Sequence, residues 1–205
     1  VTPETVARDL ELITLADLVE MRIEYLSQVN DPAQRQQIIP KIEAELARLV
    51  QRLGDQHWLV RLSGDFAAAR GDLVEAIKAY ERAREMASLE GATNDRKYYE
   101  MLLRLARAYR RLGQTGQAIA LLDQVLNVAP GHVPSRLELT ELLLEDRDIA
   151  RARQQLALLR QFGATPQQLQ AVELTSAMVE GDQATSASLY RTLPEETPAQ
   201  MRNKA

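Results

Sequence analysis

The sequence predicts an all-α fold, a solenoid built from antiparallel helix pairs. Apolar residues recur at three- and four-residue spacing along nearly all of the 205 residues, a period typical of amphipathic helices. Runs of β-branched residues, the usual signal of strands, are scarce. A turn residue followed by a small residue occurs at Gly113, and the same pattern occurs 34 residues later and again after another 34 residues. Such a fixed period indicates a helical repeat.

Composition limits the classes of function that the chain can have. The net charge is −4 at pH 7 and cysteine is absent, so we expect neither a general nucleic-acid binder nor disulfides and thiolate metal sites. No apolar run approaches the roughly 20 residues that span a membrane, and no signal peptide is visible. The chain starts with Val1 rather than methionine, and we expect it to be a piece of a longer protein.

Residues 1–56 are expected to form an N-terminal helical hairpin or a degenerate repeat. A long amphipathic segment is followed by Asp31 and Pro32, which suit the N-cap and the first position of a second helix. Pro40 argues against a single unbroken second helix, or predicts a kink in it, because proline cannot donate a backbone hydrogen bond. Gly54 marks the end of this helix.

Four turns further along the chain share one pattern. A glycine can take the left-handed conformation that ends a helix, and an aspartate directly after it can cap the next one. A small residue five positions after the glycine suits a close helix crossing, and a large residue nine positions after it fills the space between helices. The turn residues are Gly71, Gly113, Arg147 and Gly181, the next residues Asp72, Gln114, Asp148 and Asp182, the small ones Ala76, Ala118, Ala152 and Ser186, and the large ones Tyr80, Leu122, Leu156 and Tyr190.

The first helix of each pair should also carry a small residue at the crossing. Gly64 and Ala106 meet this expectation, each twelve residues before the small residue of the following helix. The first two turns lie 42 residues apart, so about eight extra residues at 91–98 should lengthen two helices, with Gly91 ending one and Asn94 or Asp95 capping the next. The predicted repeats are 57–90, 95–131, 132–165 and 166–199, and 200–205 would begin a further helix.

This pattern resembles the tetratricopeptide-repeat (TPR) family over about 57–199. The resemblance implies a right-handed, protein-binding solenoid of antiparallel helix pairs, with no catalysis and no cofactor. Two departures are Arg147, where the family places glycine, and Leu174, where it places a small residue. The best copy of the family motif consists of Leu105, Ala106, Tyr109, Gly113, Ala118, Leu122 and Pro130.

No group of residues in the sequence predicts catalysis or metal binding. His57 and His132 lie near helix starts, without the cysteine or paired carboxylate spacing of a metal site. The segment "GQTGQA" lacks the Gly-Lys-Ser/Thr ending of a phosphate loop. We therefore predict that the chain is not an enzyme; the alternative is an enzyme domain on a helical scaffold.

Charged residues of the first helices are the main candidate binding surface. In the TPR family these helices line a concave groove. Here the first helices of the earlier repeats carry basic residues, and the first helix of the next repeat carries acidic residues. Two interpretations remain open: the sets pair with each other, or the basic set accepts an acidic peptide or a carboxylate. The residues are Arg61, Arg104, Arg107, Arg110, Arg111, Glu138, Glu141 and Glu145.

Two further features bear on the choice of partner. Tyr98 and Tyr99 lie in the extended turn and form a second candidate partner site, because tyrosine is enriched at interfaces; alternatively, Tyr99 packs between helices and Tyr98 is merely exposed. Some TPR co-chaperones hold a C-terminal carboxylate with lysine and asparagine. The corresponding positions here hold Arg61, Asp65, Arg104, Pro134 and Glu138. Because the asparagine and lysine are missing, binding of a chaperone tail is not expected.

A finer resemblance concerns the bacterial envelope. Divergent, cysteine-free repeats that end in "LYRTLPEETPAQ" resemble the TPR arrays of exopolysaccharide export proteins of the Pel or cellulose type. The resemblance implies a periplasmic scaffold for biofilm export, with a polysaccharide-modifying enzyme as its protein partner. The alternative is a cytoplasmic adaptor for assembly or regulation.

Overall fold

The computed structural model of the chain describes residues 3–93 and 96–192, with side chains from Leu10 onward. This described part contains ten α-helices and no strand, which confirms the all-α prediction. The helices are α1 (Pro3–Gln28), α2 (Pro32–Leu53), α3 (His57–Arg70), α4 (Leu73–Leu89), α5 (Arg96–Arg111), α6 (Thr115–Val128), α7 (Val133–Glu145), α8 (Ile149–Gln161), α9 (Pro166–Glu180) and α10 (Gln183–Arg191).

The chain forms two compact units, Val1–Leu112 with helices α1 to α5 and Gly113–Ala205 with helices α6 to α10. The predicted repeat 95–131 is therefore divided between them. The predicted caps Asn94 and Asp95 lie outside the described residues. So do the end of the fourth predicted repeat and the helix start expected at 200–205.

In the first unit, the hairpin of α1 and α2 shares one core with α3. Helix α1 packs against α2 and α3, α3 against α4, and α4 against α5; α3 also contacts α5. The shared core places the first helices of successive pairs side by side, which positions the site described below. Its buried residues are Val19, Ile23, Leu26, Ile42, Leu46, Leu49, Leu59, Leu62 and Phe66.

The Arg35 side chain on α2 joins the ends of two other helices. Its Nη1 donates to the carbonyls of Leu26 at 2.8 Å and Val29 at 3.0 Å, at the end of α1. Its Nη2 donates to the carbonyl of Ala69 at 2.7 Å, in the last turn of α3. The last carbonyls of a helix have no partner within the helix, so one guanidinium satisfies two helix ends and fixes the hairpin against α3.

Helix α2 corrects the expectation that Pro40 breaks the second helix, whereas the alternative expectation of a kink remains a prediction. The helix is unbroken from Pro32 to Leu53, with Pro40 inside it. Pro40 and Gln36 are both exposed, so water can reach the Gln36 carbonyl that proline leaves without a donor. Burial of the apolar face after the proline, at Ile42, Leu46 and Leu49, stabilises the continuous helix.

The turns between paired helices have the predicted geometry. Gly71 and Gly181 adopt the left-handed conformation, and Arg147 adopts it too, with φ of 59°. At Arg147, its own N–H bonds to the Leu144 carbonyl at 3.1 Å and the next N–H bonds to the Leu143 carbonyl at 2.8 Å. This hydrogen-bond pair is the Schellman motif that normally favours glycine.

Three aspartates cap the helices that follow these turns, as predicted. The side chains of Asp72, Asp148 and Asp182 each accept a hydrogen bond from the backbone N–H three residues later, at 3.0–3.1 Å. Gln114 makes no such bond at the start of α6. The Asp side chains satisfy donors that the helix itself leaves unpaired.

The small and large positions of the pattern are buried in three of the four second helices. Ala76, Ala118 and Ala152 are buried, and so are Tyr80, Leu122 and Leu156. In the first pair, a Cβ built on Gly64 would lie 2.9 Å from two carbon atoms of the Tyr80 ring. Glycine at that position therefore makes room for the ring.

The fourth pair departs from the pattern at its large residue. Tyr190 was expected to fill the space between helices, but its side chain is 57 % exposed. Leu174 occupies in α9 the position that Gly64 occupies in α3, and it is buried. A leucine at this position leaves less room for a ring than the glycine that faces Tyr80, in agreement with the exposure of Tyr190.

In the second unit, α7 packs against α6, α8 and α9, and α9 also packs against α8 and α10. The Arg136 side chain of α7 is buried, with its guanidinium 5.0 Å from the centroid of the Phe162 ring. It donates to the Pro130 carbonyl at 2.6 Å and also contacts Gln155. Burial lowers the pKa of Arg136. The cation is held by a carbonyl, an amide and a ring rather than by a carboxylate.

Candidate functional site

A buried carboxylate lies at the centre of the first unit. Asp65, on α3, is only 5 % exposed. Its Oδ2 lies 2.5 Å from a guanidinium nitrogen of Arg61 and 2.7 Å from one of Arg104, on α5. Its Oδ1 accepts a hydrogen bond from the Tyr80 hydroxyl at 2.7 Å. One carboxylate thus links three helices, because Tyr80 comes from α4.

The charges in this cluster stabilise one another. Burial on its own would lower the pKa of Arg104, but the attraction of Asp65 outweighs it and the pKa is raised. Burial, and then the negative charge of Asp65, raise the pKa of Tyr80, so its hydroxyl remains a donor. Arg61 also lies 3.1 Å from Glu20 on α1.

A groove of about 610 Å³ opens beside this cluster, between α1, α3 and α5, with α4 behind. Glu20 and Glu24 lie on its α1 side, and Arg107 and Arg111 on its α5 side. Its two rims therefore carry opposite charges over an apolar floor. An amphipathic peptide segment suits such a surface, with its apolar side on the floor. The floor consists of Ile23, Leu62, Ala68, Ala69, Leu73 and Ala108.

A smaller pocket of about 160 Å³ lies between α1, the start of α3 and the start of α5. Met101 and Leu62 form its floor, and the half-buried rings of Trp58 and Tyr98 form its walls. Glu20 and Leu62 line the groove as well, so the pocket continues it along α1 and α3.

The basic residues predicted as a binding surface do not all line the same cavity of the first unit. Arg104, Arg107 and Arg111 line the groove, and Arg61 lines the pocket. Arg110 is half-buried on the same helix, α5. The structure thus brings Arg61 and Arg104 together on Asp65, whereas the exposed residues Arg107 and Arg111 form the rim.

The acidic residues predicted to face them, Glu138, Glu141 and Glu145, lie on α7 in the second unit. Glu138 is only 6 % exposed, Glu141 is half-buried and Glu145 is exposed. The pairing of the basic and acidic sets remains a prediction.

Tyr98 and Tyr99 lie in the first turn of α5. Both are half-buried, and their rings meet edge to face with centroids 6.2 Å apart. Burial raises the pKa of Tyr98. Of the two, Tyr98 is the one that lines the pocket.

Sequence reasoning missed three parts of the site: Asp65 as its centre, the acidic rim on α1, and Trp58. Arg61 lies 4 residues before Asp65, whereas Tyr80 and Arg104 lie 15 and 39 residues after it, so no local motif joins all of the partners. A signal for Trp58 did exist, because it is the one tryptophan in the chain.

The two histidines have polar partners. His57 Nδ1 lies 2.6 Å from a Glu90 carboxylate oxygen, and His132 Nδ1 lies 2.8 Å from the Ser135 hydroxyl. Within the described residues, no group of three or more potential ligands is placed to hold a metal ion. No described helix is both long and apolar enough to cross a membrane.

Two models of the tetratricopeptide repeat match the sequence, one over residues 55–130 and one over 110–173. Residues 55–173 therefore belong to the TPR family. The groove of the first unit lies on the first helices of its TPR-like pairs. No curated protein matches the sequence of this chain.

Solved structures with TPR-like folds resemble this chain over most of its length. A TPR protein from Parabacteroides merdae is 18 % identical, with a TM-score of 0.64 over 88 % of this chain and 67 % of that one. PilF from Pseudomonas aeruginosa is 16 % identical, with a TM-score of 0.60 over 91 % and 80 %. YrrB, a TPR protein with an unusual peptide-binding site, is 11 % identical, with a TM-score of 0.57 over 93 % and 98 %. At these identities the likeness concerns the fold.

Proposed function

We propose that this chain is a non-catalytic protein–protein interaction scaffold and that the groove of its first unit binds a segment of a protein partner. The observation that carries the proposal is the groove itself, with an apolar floor between an acidic and a basic rim. The TPR fold suggests this class of function, and the peptide-binding site of YrrB offers a parallel in another TPR protein.

The basic rim favours a partner segment that carries acidic residues. Arg104 is held by Asp65 at 2.7 Å, so most of its charge is balanced inside the protein. Arg107 and Arg111 are exposed on the rim, where arginine can form paired hydrogen bonds with a carboxylate. We expect the acidic residues of the partner to contact this rim and its apolar residues to contact the floor.

The test uses a partner captured from the source cell and the double variant Arg107→Glu/Arg111→Glu. We expect the Kd for the captured partner to rise at least about tenfold, which corresponds to about 1.4 kcal/mol. The affinity of the native protein should also fall as salt rises, because salt screens exposed charges. Circular dichroism would show that the variant keeps its helices.

The matched control is Lys41→Glu/Arg52→Glu, which makes the same change of charge at two exposed positions on α2. We expect it to bind the partner like the native chain. Equal losses in both double variants would mean that only net charge matters. Unchanged binding of the Arg107→Glu/Arg111→Glu variant would contradict the groove as the binding site.

We further propose that the scaffold works in the periplasm of a bacterium, where it holds a polysaccharide-modifying enzyme near an exopolysaccharide export pore. The support is the resemblance of its divergent, cysteine-free repeats to the TPR arrays of such export proteins. Fractionation of the source cell would test the compartment, and deletion of the gene would test the export of polysaccharide. Recovery of the protein from the cytoplasm would favour an adaptor for assembly or regulation instead.

A further inference from the structure

The pocket beside the groove has the size and the walls of a receptor for one side chain. Its volume of about 160 Å³ is close to that of an engineered cavity of about 150 Å³ that binds benzene. Trp58 and Tyr98 form the walls and the buried side chain of Met101 lies at the floor. Aromatic rings favour edge-to-face contacts with another ring, and methionine sulfur also contacts ring edges favourably.

We propose that this pocket binds a single aromatic side chain, of the phenylalanine type, from the partner segment that occupies the groove. The inference rests on the proposed function and deepens it, because Glu20 and Leu62 line both cavities. A chain lying in the groove along α1 and α3 can place one side chain in the pocket without a break. The partner segment is thus acidic, with one aromatic anchor.

The charges around the pocket favour a neutral side chain over a charged one. Arg61 pairs with Glu20 and Asp65, and His57 pairs with Glu90. Asp17 and Lys97 then remain at the rim, on opposite sides and with opposite charges. Together they give the pocket no net charge that would attract a lysine or an aspartate.

The same two residues suit the backbone of a bound peptide. A carboxylate such as that of Asp17 accepts a backbone N–H, and an ammonium such as that of Lys97 donates to a carbonyl. The rim would thus hold the main chain while the ring enters the pocket.

The chain contains its own reporter for this site, because its one tryptophan, Trp58, lines the pocket. The experiment titrates N-acetylphenylalaninamide into the full chain and follows tryptophan fluorescence. We expect a saturable change with a Kd of roughly 1 mM or tighter, as suits a ligand of so few atoms. N-acetylalaninamide should give no saturable change, and N-acetyllysinamide should bind at least about tenfold more weakly than the phenylalanine probe.

Two variants and a matched control tie the signal to the pocket. Ala92→Leu adds a larger side chain to the lining, and Tyr98→Ala removes one wall; each should weaken probe binding at least about tenfold, a change of about 1.4 kcal/mol. Ala150→Leu makes the same substitution at an exposed position of α8 and should bind the probe like the native chain. Tyr98→Phe should keep binding, because it keeps the ring.

The outcomes separate this inference from the proposed function. Failure of the phenylalanine probe to saturate, tighter binding of the lysine probe, or unchanged binding by folded Ala92→Leu would each overturn the aromatic pocket. The groove would still stand if the captured partner binds and depends on Arg107 and Arg111. Binding of the probe without any captured partner would support the pocket and count against the scaffold.

Discussion

Replacement of Gly64 by alanine tests how closely α3 and α4 are packed. The added Cβ would lie 2.9 Å from Cδ1 and Cε1 of Tyr80 and 3.3 Å from Cβ of Ala79. The ring cannot easily move aside, because Tyr80 is 2 % exposed and its hydroxyl is bonded to Asp65 at 2.7 Å. Either the helices separate or the hydrogen bond breaks.

The expected loss of stability follows from three effects. Overpacking of a core costs about 1–3 kcal/mol, and a hydrogen bond to a charged group contributes about 1.5–3 kcal/mol. Alanine is better than glycine inside a helix by about 1 kcal/mol, which offsets part of the loss. Because either the overpacking or the loss of the hydrogen bond applies, rather than both in full, we expect Gly64→Ala to lower the free energy of unfolding of the first unit by about 1–2 kcal/mol.

Urea denaturation followed by fluorescence measures this loss, because the only tryptophan, Trp58, lies on α3 in the same unit. Gly116→Ala is the matched control, since a Cβ at Gly116 in α6 meets no atom within 4 Å. We expect Gly116→Ala to leave the free energy of unfolding unchanged or to raise it by up to about 1 kcal/mol, as measured by far-UV circular dichroism in urea. In a Tyr80→Phe background, which lacks the hydroxyl, the cost of Gly64→Ala should shrink. A Gly64→Ala chain as stable as the native one would refute the close packing.

Two other substitutions test the turns and the hairpin. Arg147→Gly should be neutral or stabilising by up to about 1 kcal/mol, because relief of the left-handed strain is partly offset by the greater freedom of glycine in the unfolded chain. Urea denaturation followed by circular dichroism would check this, and a clear loss would mean that the arginine side chain stabilises the turn. Arg35→Met should destabilise the first unit by about 2 kcal/mol, because three carbonyls at two helix ends lose a charged donor. Tryptophan fluorescence in urea would measure this loss of stability. The control is Arg52→Met on the exposed side of α2, which should change the free energy of unfolding by about zero.

The parts of the fold that follow from local rules could be predicted from the sequence. A left-handed residue and an aspartate cap depend on a few neighbouring residues, so the turns at Gly71, Arg147 and Gly181 have the expected geometry. The unbroken helix through Pro40 could not be predicted in this way. Its stability comes from tertiary burial of Ile42, whose partners on α1 and α3 are distant in the chain.

The candidate site could be predicted only in part, for a related reason. The helical period indicates which arginines share one face of α5, and three of them line the groove. The acidic rim comes from α1, where no repeat pattern pointed to Glu20 or Glu24. The exposure of Tyr190, which the repeat pattern placed between helices, was not predicted either.

Asp65 forms ion pairs with two of the basic residues that the sequence assigns to binding. A buried carboxylate without partners is costly, whereas two guanidinium groups and a hydroxyl satisfy it well. Arg104 partners Asp65 at 2.7 Å and so links α5 to α3. Arg61 partners the same carboxylate at 2.5 Å from within α3 and reaches Glu20 on α1 at 3.1 Å. Two of the arginines that the sequence assigns to binding thus have a structural role as well, and their part in binding remains a prediction. Selectivity for a partner then depends on the rim residues Arg107 and Arg111 and on the adjoining pocket, which are the positions where substitution should change binding without loss of the fold.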